Sequence, residues 1–420
     1  MFVSCKTCID YYPSMTGKNK KTFSFQRAQQ AILATTHELT NEKLVLDKVR
    51  QRITAFDVLA VIPQPLFDES TRDGFVIRER SVSEERVNRY KVVDEIPAGK
   101  PLGNILAPGT ACRIMTGGCV PEGGTRVVPY EQCVEQNGQI IIDDSSLQAS
   151  TFILKTGSEI AQGEVLVPGG VALQAGHLAL LASCGVQTVT VVARPIVGYV
   201  CTGSELVSGA DGPGNGQKVS SNSFLLGGLV VAVGGRSVDM GIIRDNEQEL
   251  LDLFAKVKTD ELDVMITTGG MGPGKYDLVE KAFVEAGGEV VFNGISMRPG
   301  KSILFGTLGK TMFFGLPGPP YAVSTLLNGL VGPALQAMQG VKGSWPRRVQ
   351  AHLQHQVKVK RNDVLRLKDG VLTMEEGRSL VRFAGRLEMG NCFILLPPGQ
   401  AQYGEGELVE VHLAIALCAG

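Results

Sequence analysis

The sequence predicts a multidomain α/β protein, and three observations carry that reading: chain length, apolar periodicity and glycine content. At 420 residues and roughly 100–200 residues per domain, two to four domains are expected, each able to bury a core. Between residues 195 and 342 apolar strands alternate with amphipathic helices, the pattern of a mainly parallel sheet covered on both faces. The 51 glycines are about twice what average usage of roughly 7% gives, so many loops of specialised backbone are implied.

Composition narrows the function classes. Apolar types make up 44% and charged types 20% of the residues, which excludes a long disordered or fibrous chain. The 41 basic residues nearly balance the 42 acidic ones, so a nucleic-acid or acidic-membrane surface would need a local patch. Neither kind of partner is expected. Aromatics are scarce at 6%, with one tryptophan, Trp345, against a surface built to stack bases. The longest apolar stretch, 224–233, is far shorter than the ~20 residues that cross a bilayer. Nine dispersed cysteines and an N-terminus without an apolar leader pattern point to reduced thiols in a cytoplasmic protein.

Along the chain, residues 1–22 are polar and rich in lysine toward their end, as in a flexible tail. Cys5 and Cys8 form a single Cys-x-x-Cys there, too little for a zinc site without a second pair. Phe25, Ala28, Ile32 and Leu33 recur at helical spacing, and a second helical pattern covers 44–59 until Pro63 and Pro65 stop it. Residues 67–150 read as a small inserted β domain, with strands at 91–93, 113–115, 126–128 and 139–142. A helix at 172–182 brings 151–194 back to pack with 23–66 as one elongated helical domain. His177 in that helix reads as a packed or hydrogen-bonded histidine. The strands of the α/β domain, 195–342, are 196–201, 237–243, 264–268, 302–305 and 311–314; its helices are 221–233, 247–258, 278–286 and 322–338. Residues 343–420 lose the helical pattern and form a separate small β domain. His352 and His355, three apart in a strand, face opposite ways and make a poor metal pair.

Ligands of such sheets sit outside the carboxyl ends of the strands, which directs attention to the loops after residues 201, 268 and 314. The glycine-rich run 267–277 joins a strand to a helix and could turn backbone N–H groups toward an anion. It falls short of a P-loop because Tyr276 stands where Ser or Thr would bind Mg²⁺. Glu205, Asp245 and Asp277 follow successive strands, and Arg298 with Lys301 introduces another. Three carboxylates and two cations around one sheet end suit a metal ion plus a multiply charged phosphate or oxyanion.

These residues resemble the molybdopterin molybdenumtransferases, the molybdenum insertases that include bacterial MoeA and the E domain of gephyrin. The resemblance runs from about Phe25 to the C-terminal β domain. It rests on ordered segments: Asp68 to Phe75, Glu95 to Gly99, Arg113 to Gly123, Thr202 to Leu206, Thr268 to Asp277, Arg298 to Lys301 and Gly315 to Gly318. It implies a three-layer, molybdopterin-binding-like α/β domain, the interrupted helical domain, and a terminal β barrel. The activity implied is insertion of molybdate into adenylylated molybdopterin, with Mg²⁺ and release of AMP. By matching position, Asp73, Thr116, Glu205, Asp245 and Asp277 are the implied catalytic residues, with Glu205, Asp245 and Asp277 on the metal. Ser70, Gly269, Gly270, Arg298, Lys301, Pro317 and Pro320 would bind the pterin phosphate and oxyanion. A homodimer is implied, with the upstream molybdopterin adenylyltransferase as a further partner.

Some positions depart from the family. Pro319 replaces an asparagine, Ala322 a common serine, Arg298 a lysine, and Gly294 stands where a lysine often falls. These changes motivate one alternative, a catalytically weakened paralogue that binds a pterin or nucleotide ligand or a protein partner; the resemblance of the α/β domain to that of the upstream enzyme suggests another, an adenylyltransferase acting on molybdopterin with ATP.

Overall fold

The computed structural model describes residues 22–79, 89–99, 105–142, 150–209, 212–271, 278–360 and 362–415. Two compact units share the chain, one drawn from Met1–Glu42, Gln51–Ile53 and Val192–Gly420, the other from Lys43–Arg50 and Thr54–Val191.

In the first unit the apolar runs Ile196–Thr202, Val264–Thr268 and Thr311–Leu316 are almost wholly buried, which requires cover on both faces of their sheet. The strand order is Arg236–Ile243, Ile196–Thr202, Val264–Thr268, Thr311–Leu316, Leu304–Leu308, Glu289–Phe292. The first four run parallel; Leu304–Leu308 runs against them, and Glu289–Phe292 pairs antiparallel with Leu304–Leu308. A two-residue turn explains the switch: Gly309, at φ 62°, reverses the chain between Leu308 and Thr311. The edge strand Glu289–Phe292 has no counterpart among the expected ones.

Side-chain alternation splits this sheet's core in two. Tyr199, Ile266 and Phe314 pack with Leu226 and Val230 of the helix Asn222–Ala232, whereas Val200, Met265 and Phe313 pack with Phe254 and Phe283 of the helices Glu247–Thr259 and Val279–Glu285. Neighbours in sequence thus point to opposite layers. The expected single helix 322–338 is instead Pro320–Leu326, a π turn Leu327–Val331 and Gly332–Met338. Pro333 has no N–H for the regular ladder, and the wider turn absorbs that loss. The helix Phe25–Thr35, capped by Ser24, sends Phe25, Ala28 and Ile32 into the same core as Phe292, Ile295 and Leu330.

The C-terminal segment forms the barrel. Leu365–Glu375 pairs with both Arg378–Phe383 and Cys392–Leu396, and Arg348–Leu353 with Leu408–Leu413 completes the ring. Closure leaves no open flank within that ring. Met297–Arg298 then attaches to Leu365–Glu375 in parallel, placing Arg298 opposite Arg366.

The second unit carries a six-stranded sheet, in the order Arg126–Pro129, Gly74–Ile77, Thr110–Ile114, Arg89–Ile96, Gln139–Ile142, Cys133–Gln136. Phe75, Ile77 and Ile140 fill one side of it. A smaller core gathers Val49, Val167, Leu181 and Val189 beneath the helix Ala175–Ser183, where the His177 ring accepts from the Gln174 N–H at 3.2 Å and caps the first turn. The helix expected over 44–59 does not form: the chain makes the strand Asn41–Val45, a 3₁₀ turn Leu46–Lys48 and the strand Val58–Leu59. Gln51 sits at φ 59°, a left-handed conformation that ends any right-handed helix. No helix among the described residues is long and apolar enough to cross a membrane.

Candidate active site

Four parallel strands of the first unit end together. Past their carboxyl ends, Gly203 N donates to Ile243 O at 3.1 Å, Gly269 N donates to Leu316 O at 3.0 Å, and Thr202 Oγ1 donates to Thr268 O at 3.3 Å. The approach of the loops is close enough to demand glycine. A Cβ on Gly269, at φ 98°, would lie 2.3 Å from the Thr202 carbonyl oxygen. Because its N–H is taken by Leu316, Gly269 serves the close crossing of backbones and does not offer that donor to an anion.

A cavity of about 570 Å³ opens over this crossing. It brings together Glu205, Asp245, Gly269, Gly270, Pro317 and Pro320 of the expected site. Asp245 holds the turn before Glu205: its Oδ2 accepts from Ser204 N at 3.1 Å, and its own N–H donates to Ser204 Oγ at 3.2 Å. The Glu205 carboxylate lies beside Gly203, where a Cβ would meet its Oε2 at 2.8 Å. The helix that follows is capped by Asn246, whose side chain accepts from Gln248 N and Glu249 N. Asp277 lies outside the described residues, and among those described no three His, Cys, Asp or Glu side chains cluster as a metal site.

A second cavity, of about 500 Å³, shares Ser302, Pro317 and Pro319 with the first. Arg298 and Lys301 line it, joined by two cations of the barrel strand, Arg366 and Lys368. Asp369 is the carboxylate in that wall, and burial raises its pKa above the ordinary aspartate range. Pro319 and Ala322 also line this cavity; Gly294 is not among its lining residues, and its carbonyl oxygen accepts from Phe23 N at 3.0 Å.

Ser70, Asp73 and Thr116 belong to the second unit. Asp73 Oδ1 accepts from Thr116 N at 2.7 Å and from Thr116 Oγ1 at 2.8 Å, and these bonds lower its pKa below the usual range. Ser70 is buried, its hydroxyl donating to Arg72 O at 2.5 Å. It closes a local turn.

Sequence reasoning missed Arg366, Lys368, Asp369 and Asn222. Arg366 and Lys368 alternate in a strand, so a two-residue period of like charge marked one face. Asn222 gave only the signal of a helix start within a run of serines.

A mainly parallel sheet with a cavity at its carboxyl ends, joined to a wall of cations, defines an α/β fold whose site suits an anionic ligand. Residues 198–337 match the family described as "Probable molybdopterin binding domain", and residues 23–185 match "MoeA N-terminal region (domain I and II)". Molybdopterin molybdenumtransferase of Bacillus subtilis (strain 168) is 32% identical over 389 residues, covering 89% of each chain. That of Staphylococcus aureus (strain MSSA476) is 29% identical over 412 residues, covering 95% of this chain and 97% of its own. The solved molybdopterin biosynthesis MoeA protein from Pyrococcus horikosii matches with a TM-score of 0.81 at 28% identity, over 94% of this chain and 99% of that one. The chain belongs to the molybdopterin molybdenumtransferase family.

Proposed function

We propose that this protein inserts molybdate into adenylylated molybdopterin and releases molybdenum cofactor and AMP. Its family supports the reading. The observation that carries it is the joining of a carboxylate-bearing cavity to a cation-bearing one through Ser302, Pro317 and Pro319. Arg298, Lys301, Arg366 and Lys368 supply the positive charge that a dianionic oxyanion beside a phosphate requires. Glu205 and Asp245 are hard oxygen donors on one cavity wall, a pair that fits Mg²⁺ shared with substrate phosphates. When bound there, the ion would neutralise charge at the pyrophosphate link. Asp277, a residue the family resemblance implies, would complete the acidic set.

Incubation with adenylylated molybdopterin, molybdate and Mg²⁺ tests the proposal. AMP release together with reconstitution of an apo-molybdoenzyme is expected; absence of both overturns it, and turnover of Mg-ATP on free molybdopterin would favour the adenylyltransferase instead. The weakened-paralogue reading draws on Pro319 and Ala322, which remove an amide and a hydroxyl from the cation-lined cavity. Running the assay with tungstate in place of molybdate reads whether that loss relaxes oxyanion choice.

A further inference from the structure

The large aromatic side chains in the core of the first unit meet one another, as Phe283 does Phe313 at 4.4 Å and Phe305 does Phe314 at 4.8 Å between ring centroids. Among the described residues Tyr321 and Phe383 join no such pair. Both line the cation-bearing cavity, and both meet water, at 62% and 39% exposure. Their placement explains this. In the helix Pro320–Leu326 the side chains of Ala322, Val323, Thr325 and Leu326 are buried, which leaves Tyr321 on the outward face. Phe383 ends the strand Arg378–Phe383, and opposite it on Leu365–Glu375 stands Gly370, which has no side chain to cover a ring on that face. One exposed ring is ordinary, but two in a single cavity with Arg298, Lys301, Arg366 and Lys368 make a surface both apolar and cationic. At about 500 Å³ the cavity has the size of an organic-ligand site, which runs to about 300–1,000 Å³. A tetrahedral oxyanion would fill only part of it and has no use for a ring face.

We infer that Tyr321 and Phe383 are specificity-determining residues that stack the flat pterin ring of the substrate, while the cations of the same cavity hold the oxyanion and phosphate. The inference rests on the proposed function and adds to it the side chains that read the ring. Aromatic faces accept any conjugated heterocycle, and adenylylated molybdopterin carries two, the pterin and the adenine. The pterin bears the dithiolene that receives molybdenum, so it is the ring next to an oxyanion held by these cations. Adenine lies beyond the pyrophosphate.

Fluorescence titration of the full chain with neopterin monophosphate, beside calorimetric titration with AMP and with molybdate, separates the sources. The wild type is expected to quench the pterin emission on binding. Tyr321→Leu and Phe383→Leu keep apolar bulk but lose the ring, and each is expected to weaken neopterin monophosphate about tenfold, with molybdate affinity and sedimentation as in the wild type. Both should raise KM for adenylylated molybdopterin more than they lower kcat. Equal pterin affinity in the wild type and both variants overturns the inference. So does a loss confined to AMP, which puts adenine on the rings, and so does a change in sedimentation without a change in pterin affinity, which makes the rings a contact between copies. A wild type that inserts molybdenum but does not bind neopterin monophosphate sinks the inference and leaves the proposed function standing. One that binds the pterin through both rings but inserts no molybdenum removes the proposed function and leaves the ring site.

Discussion

Asp369 shares its cavity with four cations, yet burial alone raises its pKa. A raised carboxyl pKa means that the folded protein keeps this proton longer than the unfolded chain does. Stability from it is therefore complete at acid pH and declines as pH climbs through the raised value. Asp369→Asn is expected to raise the melting temperature at pH 8, with the gain vanishing toward pH 4 in a thermal scan series. Glu205 behaves differently because it is exposed. Glu205→Gln should leave stability within roughly ±0.5 kcal/mol of wild type while AMP release is lost, as read by differential scanning calorimetry beside the insertion assay. Gly269 shows the opposite pattern, since structure and site coincide there. Its φ of 98° and the 2.3 Å approach to Thr202 O leave no room for a methyl group. Gly269→Ala is expected to cost about 1–3 kcal/mol and to impair insertion together with folding.

Elements differ in how far their residues announced them. The strands Val264–Thr268 and Thr311–Leu316 were legible because a buried strand reads as an unbroken apolar run. The 44–59 segment was not: its apolar spacing mimics a helix, but the conformation at Gln51 and the cross-chain bond from Arg52 to Val192 O at 2.8 Å decide it. Such long-range partners leave no local trace. The barrel strand Leu408–Leu413 carries another hidden feature, His412, buried with Nε2 on Glu410 at 2.8 Å and Nδ1 without a partner among the described residues. Burial lowers its pKa despite Glu410, with Arg348 also facing that carboxylate. The folded state thus resists protonation, and stability present above about pH 6.5 is lost as pH falls. His412→Phe is expected to flatten the decline in melting temperature between pH 7 and 5.

At the scale of the whole molecule, a homodimer is what the family resemblance implies, and exposed apolar side chains offer a place to test it. Phe56, Leu59 and Val165 are exposed, and Leu59 pairs with Val165 across two short strands. Sedimentation of Leu59→Glu is expected to show a shift toward monomer relative to wild type. If Asp73 of one copy completes the cavity of the other, as the family resemblance implies, co-expressed Asp73→Asn and Glu205→Gln chains should recover insertion that neither variant shows alone. The sequence motifs identified most of the residues around the carboxylate cavity because they lie in short contiguous segments. The second cation wall escaped because Arg366 and Lys368 sit some 65 residues from Lys301 along the chain, and only strand pairing brings them beside it.

That pairing has a consequence for dissecting the protein. The two-residue strand Met297–Arg298 hydrogen-bonds to Leu365–Glu375, so the Arg298 side of the cation-lined cavity is stitched to the barrel by main-chain bonds. A fragment cut after residue 342 would keep the parallel sheet but strand these donors and acceptors in water. Engineers seeking a minimal catalyst should therefore shorten the hairpin loops of the barrel and retain its ring.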